Sequence, residues 1–108
     1  MAERDVIDSV QRYIRAVEGA GIPVSFVVLF GSQVQGNTHE WSDIDLLVVS
    51  PHFDGPRVHE DIGTLWYMAA RTDSRIEPVA CGLRQWQDDT STGIIEIARR
   101  EGQRILAA

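Results

Sequence analysis

Two aspartates, Asp43 and Asp45, stand two positions apart at the head of the run Asp43-Ile44-Asp45-Leu46-Leu47-Val48-Val49. The run reads as a strand, and side chains at i and i+2 of a strand share a face, so both carboxylates are held side by side. Left alone they repel, and one of them tends to take up a proton. A divalent cation reverses that cost by turning both into ligands. The donors on offer are hard oxygens, which favours Mg²⁺, with Mn²⁺ as the substitute, over zinc. Mg²⁺ usually takes one or two carboxylates and fills the rest of its shell with substrate phosphates, so a nucleotide would complete the site. Ten residues separate the pair Gly31-Ser32 from Asp43. Glycine allows a sharp turn and close approach of a phosphate. Backbone N–H groups and the Ser32 hydroxyl could then hold phosphate oxygens, helped by a helix dipole if Ser32 opens a short helix. A phosphate cradle beside a metal clamp suits in-line transfer at phosphorus, where positioning and charge neutralisation do most of the work.

These residues need elements to position them. Arg4 to Glu18 carries Val6, Val10, Tyr13, Ile14 and Val17 at helical spacing. Gly19-Ala20-Gly21-Ile22-Pro23 ends that helix. Val24 to Phe30 is a short β-branched and aromatic strand that delivers the chain to Gly31. Gln33 to Ser42 is polar and without period, a short turn or helix followed by loop. Asp43 to Val49 is the second strand; its unbroken apolar run from Leu46 to Val49 predicts cover on both faces and a central place. Pro51 to Pro56 reads as loop, and His59 to Arg71 as a helix with Ile62, Leu65, Trp66 and Ala69 on one stripe. Arg75 to Cys81 is a third strand, and Pro78 within it argues for an edge or a bulge. Leu83 to Asp88 predicts one helical turn. Ser91 or Thr92 can cap a last helix to Arg100 bearing Ile94, Ile95, Ile97 and Ala98. After the break at Gly102, Arg104 to Leu106 is a short strand or a frayed end. The order predicts an α/β (α+β) fold, a small mixed sheet of three to five strands flanked by helices, as one domain over residues 1–108.

Composition removes several alternatives. The chain has 108 residues, 44% of them hydrophobic, with a formal charge of −6. All ten basic residues are arginine. Without lysine, neither a P-loop nor Schiff-base chemistry is available. The acidic balance disfavours a nucleic-acid partner, which needs a basic face. No run is apolar enough for a membrane span and the charged N-terminus carries no secretory pattern. Cys81 is the lone cysteine, so no internal disulfide forms. A cytoplasmic location is the expectation.

The stretch Leu29-Phe30-Gly31-Ser32, ten intervening residues, and Asp43-Ile44-Asp45-Leu46-Leu47-Val48 resembles the signature of the polymerase-beta-like nucleotidyltransferase superfamily. It looks most like the minimal nucleotidyltransferases of bacteria and archaea, single domains of about this size. The signature covers about a fifth of the chain, and the order of elements extends the likeness. The resemblance implies transfer of AMP from ATP to a hydroxyl with release of pyrophosphate. It implies two Mg²⁺ ions on Asp43 and Asp45, one of them shared with a third carboxylate on a later strand. Glu77 in Arg75-Ile76-Glu77-Pro78-Val79 is the best match for that carboxylate, one methylene longer than the aspartate common in the family, and Asp73 is its rival. Ser32 would bind the β or γ phosphate, and Ser42 matches a common serine as a turn or cap. Many minimal members act as antitoxins of a small helical HEPN-family ribonuclease, and some modify a tyrosine of that partner with AMP.

Plainer readings stand beside these. Asp43 and Asp45 could be a solvated strand edge, Gly31-Ser32 a turn, and Glu77 a surface residue. His39, His52 and His59 show no ligand spacing and read as surface residues. Trp41, Trp66 and Trp86 read as packing or partner contacts. Arg71 or Arg75 could reach a triphosphate, though solvated charge is the default. Cys81 reads as a small buried residue. Two other functions fit the same motif: a non-catalytic nucleotide-binding module that masks its partner, or a transferase acting on a small molecule such as an antibiotic. The latter needs a surface for the acceptor from a homo- or hetero-oligomer.

Overall fold

A computed structural model describes residues 4–35 and 42–106 of the chain. Helix α1 (Arg4–Gly19) leads to strand β1 (Phe26–Phe30), the single helical turn α2 (Ser32–Gln35) and strand β2 (Ile44–Ser50). A 3-10 turn (Pro51–Asp54) precedes helix α3 (Val58–Thr72) and strand β3 (Ile76–Gly82). Helices α4 (Leu83–Asp88) and α5 (Gly93–Glu101) and strand β4 (Gln103–Ile105) complete the described chain. The four strands form one sheet in the order β3-β2-β1-β4. β1 runs antiparallel to both neighbours, and β2 and β3 are parallel.

Strand alternation divides the core in two. Val27 and Leu29 of β1 and Ile44, Leu46 and Val48 of β2 turn to one face. There they meet Val6, Val10, Tyr13, Ile14 and Val17 of α1 and Leu65 and Ala69 of α3. Phe26, Val28, Leu47 and Val49 turn to the other face, against Cys81 of β3 and Ile95 and Ala98 of α5. β2 is therefore central and covered on both sides, as its unbroken apolar run predicts. Pro78 lies opposite Leu46 on β3, at the sheet edge, where a missing N–H costs no ladder bond. Tyr13 is fully buried, and its hydroxyl donates to the Leu65 carbonyl at 2.8 Å, tying α1 to α3. Burial raises the Tyr13 phenol above its ordinary value. Burial likewise pushes the Cys81 thiol up to about 11, in keeping with an inert core residue.

Three local expectations are corrected. The segment after β2 is not plain loop: Ser50 accepts from the His52 N–H at 3.1 Å and caps the 3-10 turn. Thr92 occupies the N-cap position of α5, but its side chain makes no cap. Its hydroxyl and that of Ser91 donate instead to Asp89, at 2.6 and 3.0 Å, and the Ser91 and Thr92 N–H groups bond the same carboxylate. Trp66 does not share the buried stripe of Leu65 and Ala69; one position on from Leu65, it lies about 100° round the helix and is 48% exposed. Trp86 does pack, edge-on against Phe26 with ring centroids 5.4 Å apart. The readings made for His39 and Trp41 fall outside the described residues.

Candidate active site

The site lies where β1 ends and β2 and β3 begin. Phe30 pairs with Asp45 across the antiparallel ladder, so the turn at Gly31 arrives beside the start of β2. Asp45 pairs with Glu77 across the parallel ladder. Asp45 and Glu77 share the face of Leu47, Val49, Val79 and Cys81, and alternation places Asp43 on it too. Three acidic side chains thus belong to one end of one sheet face, with Asp43 exposed and the other two half-buried.

Gly31 has φ +76°, a left-handed conformation that side chains disfavour. A Cβ there would lie 2.5 Å from Asp45 Oδ2. The glycine is therefore needed twice, for the turn and for the space that the Asp45 carboxylate fills. α2 follows at once, and the Val34 N–H bonds back to the Gly31 carbonyl at 3.2 Å. Ser32 heads this turn, as the motif requires; what was read into its hydroxyl falls outside the described side chains. With four residues, α2 carries little macrodipole, so any hold on phosphate rests on local N–H groups.

The carboxylates perturb one another. Partial burial raises the Asp45 carboxyl above its ordinary value; a hydrogen bond with Glu77 opposes the rise and the charge of Asp43 adds to it. Glu77 is also raised, first by desolvation, then by the charges of Asp43 and Asp45 and the hydrogen bond to Asp45. Burial and like charge thus make full ionisation of this cluster costly, and a bound cation would offset that cost.

Asp73 is engaged elsewhere. Its Oδ1 accepts from the Arg75 N–H at 3.0 Å and from Arg75 Nε at 3.1 Å, and its Oδ2 from Arg75 Nη2 at 2.8 Å. The Arg75 side chain holds its carboxyl down at about 2. Of the two rivals, Glu77 is the one beside Asp45. Arg75 is committed to Asp73, while Arg71 leans on the Tyr67 ring with its hydroxyl 3.3 Å away.

Gln33 is a residue that sequence reasoning passed over. It is 3% exposed, and its Nε2 donates to the Ser42 and Asp43 carbonyls, both at 3.2 Å. Gln33 belongs to a polar stretch without period, so nothing in the pattern marks it as buried.

The oxygen donors suit a hard divalent cation, whose charge would offset the repulsion within the acidic cluster. Among the described residues no three His, Cys, Asp or Glu side chains form a ready-made ion cage.

A glycine turn meeting carboxylates on two parallel strands is an arrangement suited to transfer at phosphorus. The sequence matches the nucleotidyltransferase domain family over residues 10–103, and the chain belongs to that family. No curated protein matches it in sequence. Among solved structures, it resembles a protein of Sulfolobus solfataricus described as a nucleotidyltransferase. The TM-score is 0.62 at 17% identity, over 93% of this chain and 78% of the other. It also resembles a chain of a toxin–antitoxin complex with AMP-PNP, with a TM-score of 0.61 at 23% identity, over 91% of this chain and 73% of the other. At these identities the likenesses concern the fold. Among the described residues no helix is long and apolar enough to cross a membrane.

Proposed function

We propose that the protein transfers AMP from ATP to a hydroxyl of a protein partner in a Mg²⁺-dependent reaction, as the antitoxin of a small helical HEPN-type toxin. The observation that carries the transfer reading is the Asp45–Glu77 pair, on the face shared with Asp43 and against the glycine turn. Asp43, Asp45 and Glu77 are the residues that would hold the metal. Bound there, Mg²⁺ would neutralise phosphate charge and acidify the attacking hydroxyl. Glu77, beside Asp45 on the neighbouring strand, would take the proton of the incoming hydroxyl. The new bond joins that hydroxyl oxygen to the α-phosphorus; the bond to the bridging oxygen breaks and pyrophosphate leaves.

The protein acceptor and the antitoxin role have different support. The fold likeness to a member of a toxin–antitoxin complex favours a protein partner. The acidic net charge favours one over nucleic acid. Purified protein incubated with Mg²⁺ and α-labelled ATP, with and without the product of the neighbouring gene, tests both parts. The reading expects label on the neighbour, matched by pyrophosphate, and loss of both in the nearly isosteric Asp45→Asn. A tight complex whose partner keeps its unmodified mass would replace catalysis by masking.

A further inference from the structure

We propose that Gln33 is a positioning residue that fixes the Asp43 carboxylate relative to the glycine turn; this rests on the reading of the site as a metal-dependent transferase. The β-ladders start just after Asp43: pairing with β3 begins at Ile44 and pairing with β1 at Asp45. Asp43 is exposed and stands ahead of both. The Ile44 N–H bonds the Arg75 carbonyl at 2.8 Å, so the backbone is anchored from Ile44 onward. On the other side of Asp43, Gln33 adds a hold of its own. Its carboxamide has two N–H donors, and Nε2 reaches the Ser42 and Asp43 carbonyls together at 3.2 Å. Gln33 itself is buried in the single turn that follows Gly31. One side chain thus ties the phosphate-side turn to the backbone of a metal-side carboxylate nine and ten residues later. A ligand whose backbone is pinned loses less freedom on coordination, and polar groups that orient ligands typically matter about tenfold or more in metal affinity or activity.

The test uses Gln33→Met, which keeps the length and removes both donors, and Gln33→Glu, which keeps the shape but sets lone pairs against the two carbonyls. Thermal melts confirm which variants fold, and the isosteric Glu variant serves if Met does not. Three quantities are compared with wild type in the full chain: backbone order parameters of residues 42–44 by NMR relaxation, Mn²⁺ affinity by electron paramagnetic resonance, and kcat and KM for ATP. The expected result is a lower order parameter at Asp43, Mn²⁺ affinity lower by about tenfold, and a fall in kcat that exceeds the change in KM. An unchanged order parameter at Asp43, or wild-type Mn²⁺ affinity in a folded variant, overturns the positioning role. Asp43→Asn separates this from failure of the underlying reading. If that substitution leaves Mn²⁺ affinity intact, the site assignment fails, whereas a loss there with none in the Gln33 variants sinks the positioning role alone.

Discussion

Replacing Gly31 by alanine should damage activity far more than stability, and Gly21 provides the control. Both glycines have positive φ, +76° at Gly31 and +99° at Gly21. Alanine in a left-handed conformation costs about 1–2 kcal/mol, and in a domain near this size each kcal/mol lowers Tm by about 4–8 °C. Nothing lies within 4 Å of a Cβ placed on Gly21, so Gly21→Ala reports backbone strain alone. At Gly31 the added Cβ would stand 2.5 Å from Asp45 Oδ2. Relieving that contact to an ordinary separation moves the carboxylate by roughly 1 Å. The carboxylate is the free end of a side chain, so it swings aside with little further loss of stability. A shift of that size at a reacting centre can cost about 10²-fold in rate. Urea or thermal melts should therefore show similar losses for the two variants. Pyrophosphate release should fall by about two orders of magnitude only in Gly31→Ala. Equal and substantial transfer by both variants would refute the claim that the empty Cβ position at Gly31 holds Asp45 in place.

The titration of the acidic pair gives a stability test of opposite sense to the usual carboxylate. Asp45 and Glu77 have raised values, so the folded chain binds protons more tightly than the unfolded one. Their contribution is full at acid pH and is lost as pH climbs through the raised range. Glu77→Gln should therefore raise Tm at neutral pH, by up to about 1 kcal/mol of stability for a pair partly open to solvent. A gain that does not shrink toward acid pH would contradict the raised titration of Asp45 and Glu77. Asp73 behaves conversely: held down at about 2, it stabilises above the ordinary carboxylate range and loses that effect as pH falls toward 2. Asp73→Asn should cost about 1–2 kcal/mol at pH 7 and leave transfer intact; loss of transfer would restore Asp73 as the third carboxylate. Mn²⁺ with a non-hydrolysable ATP analogue should raise the Tm of wild type, and chelation should reverse it. The same shift in Asp45→Asn would place the ion elsewhere.

What could be read from the chain depended on how local the determining signal was. The alternation of Ile44, Leu46 and Val48 against Asp45, Leu47 and Val49 is a property of one strand, so its central place and the shared face of Asp43 and Asp45 were legible. Pro78 narrowed its strand to an edge or a bulge, where a missing N–H is tolerated, and β3 is an edge. The choice between Glu77 and Asp73 was not legible, because it depends on the register of two strands joined by a helix. A shift of one residue would have turned Glu77 to the opposite face. Thr92 misled for a related reason: the capping rule knows the residue type, but Asp89, three positions earlier, competes for the hydroxyl. Gln33 was hidden because a glutamine in a polar segment carries no sign of burial. The local pattern thus yields which groups are present and which face they take, while pairing across strands selects which of them meet. In this fold the selection is concentrated at the common end of β1, β2 and β3, where each ladder has its terminal pair. Side chains there are held by the sheet from one side and left open on the other, which suits carboxylates that must be fixed relative to one another yet still reach a phosphate.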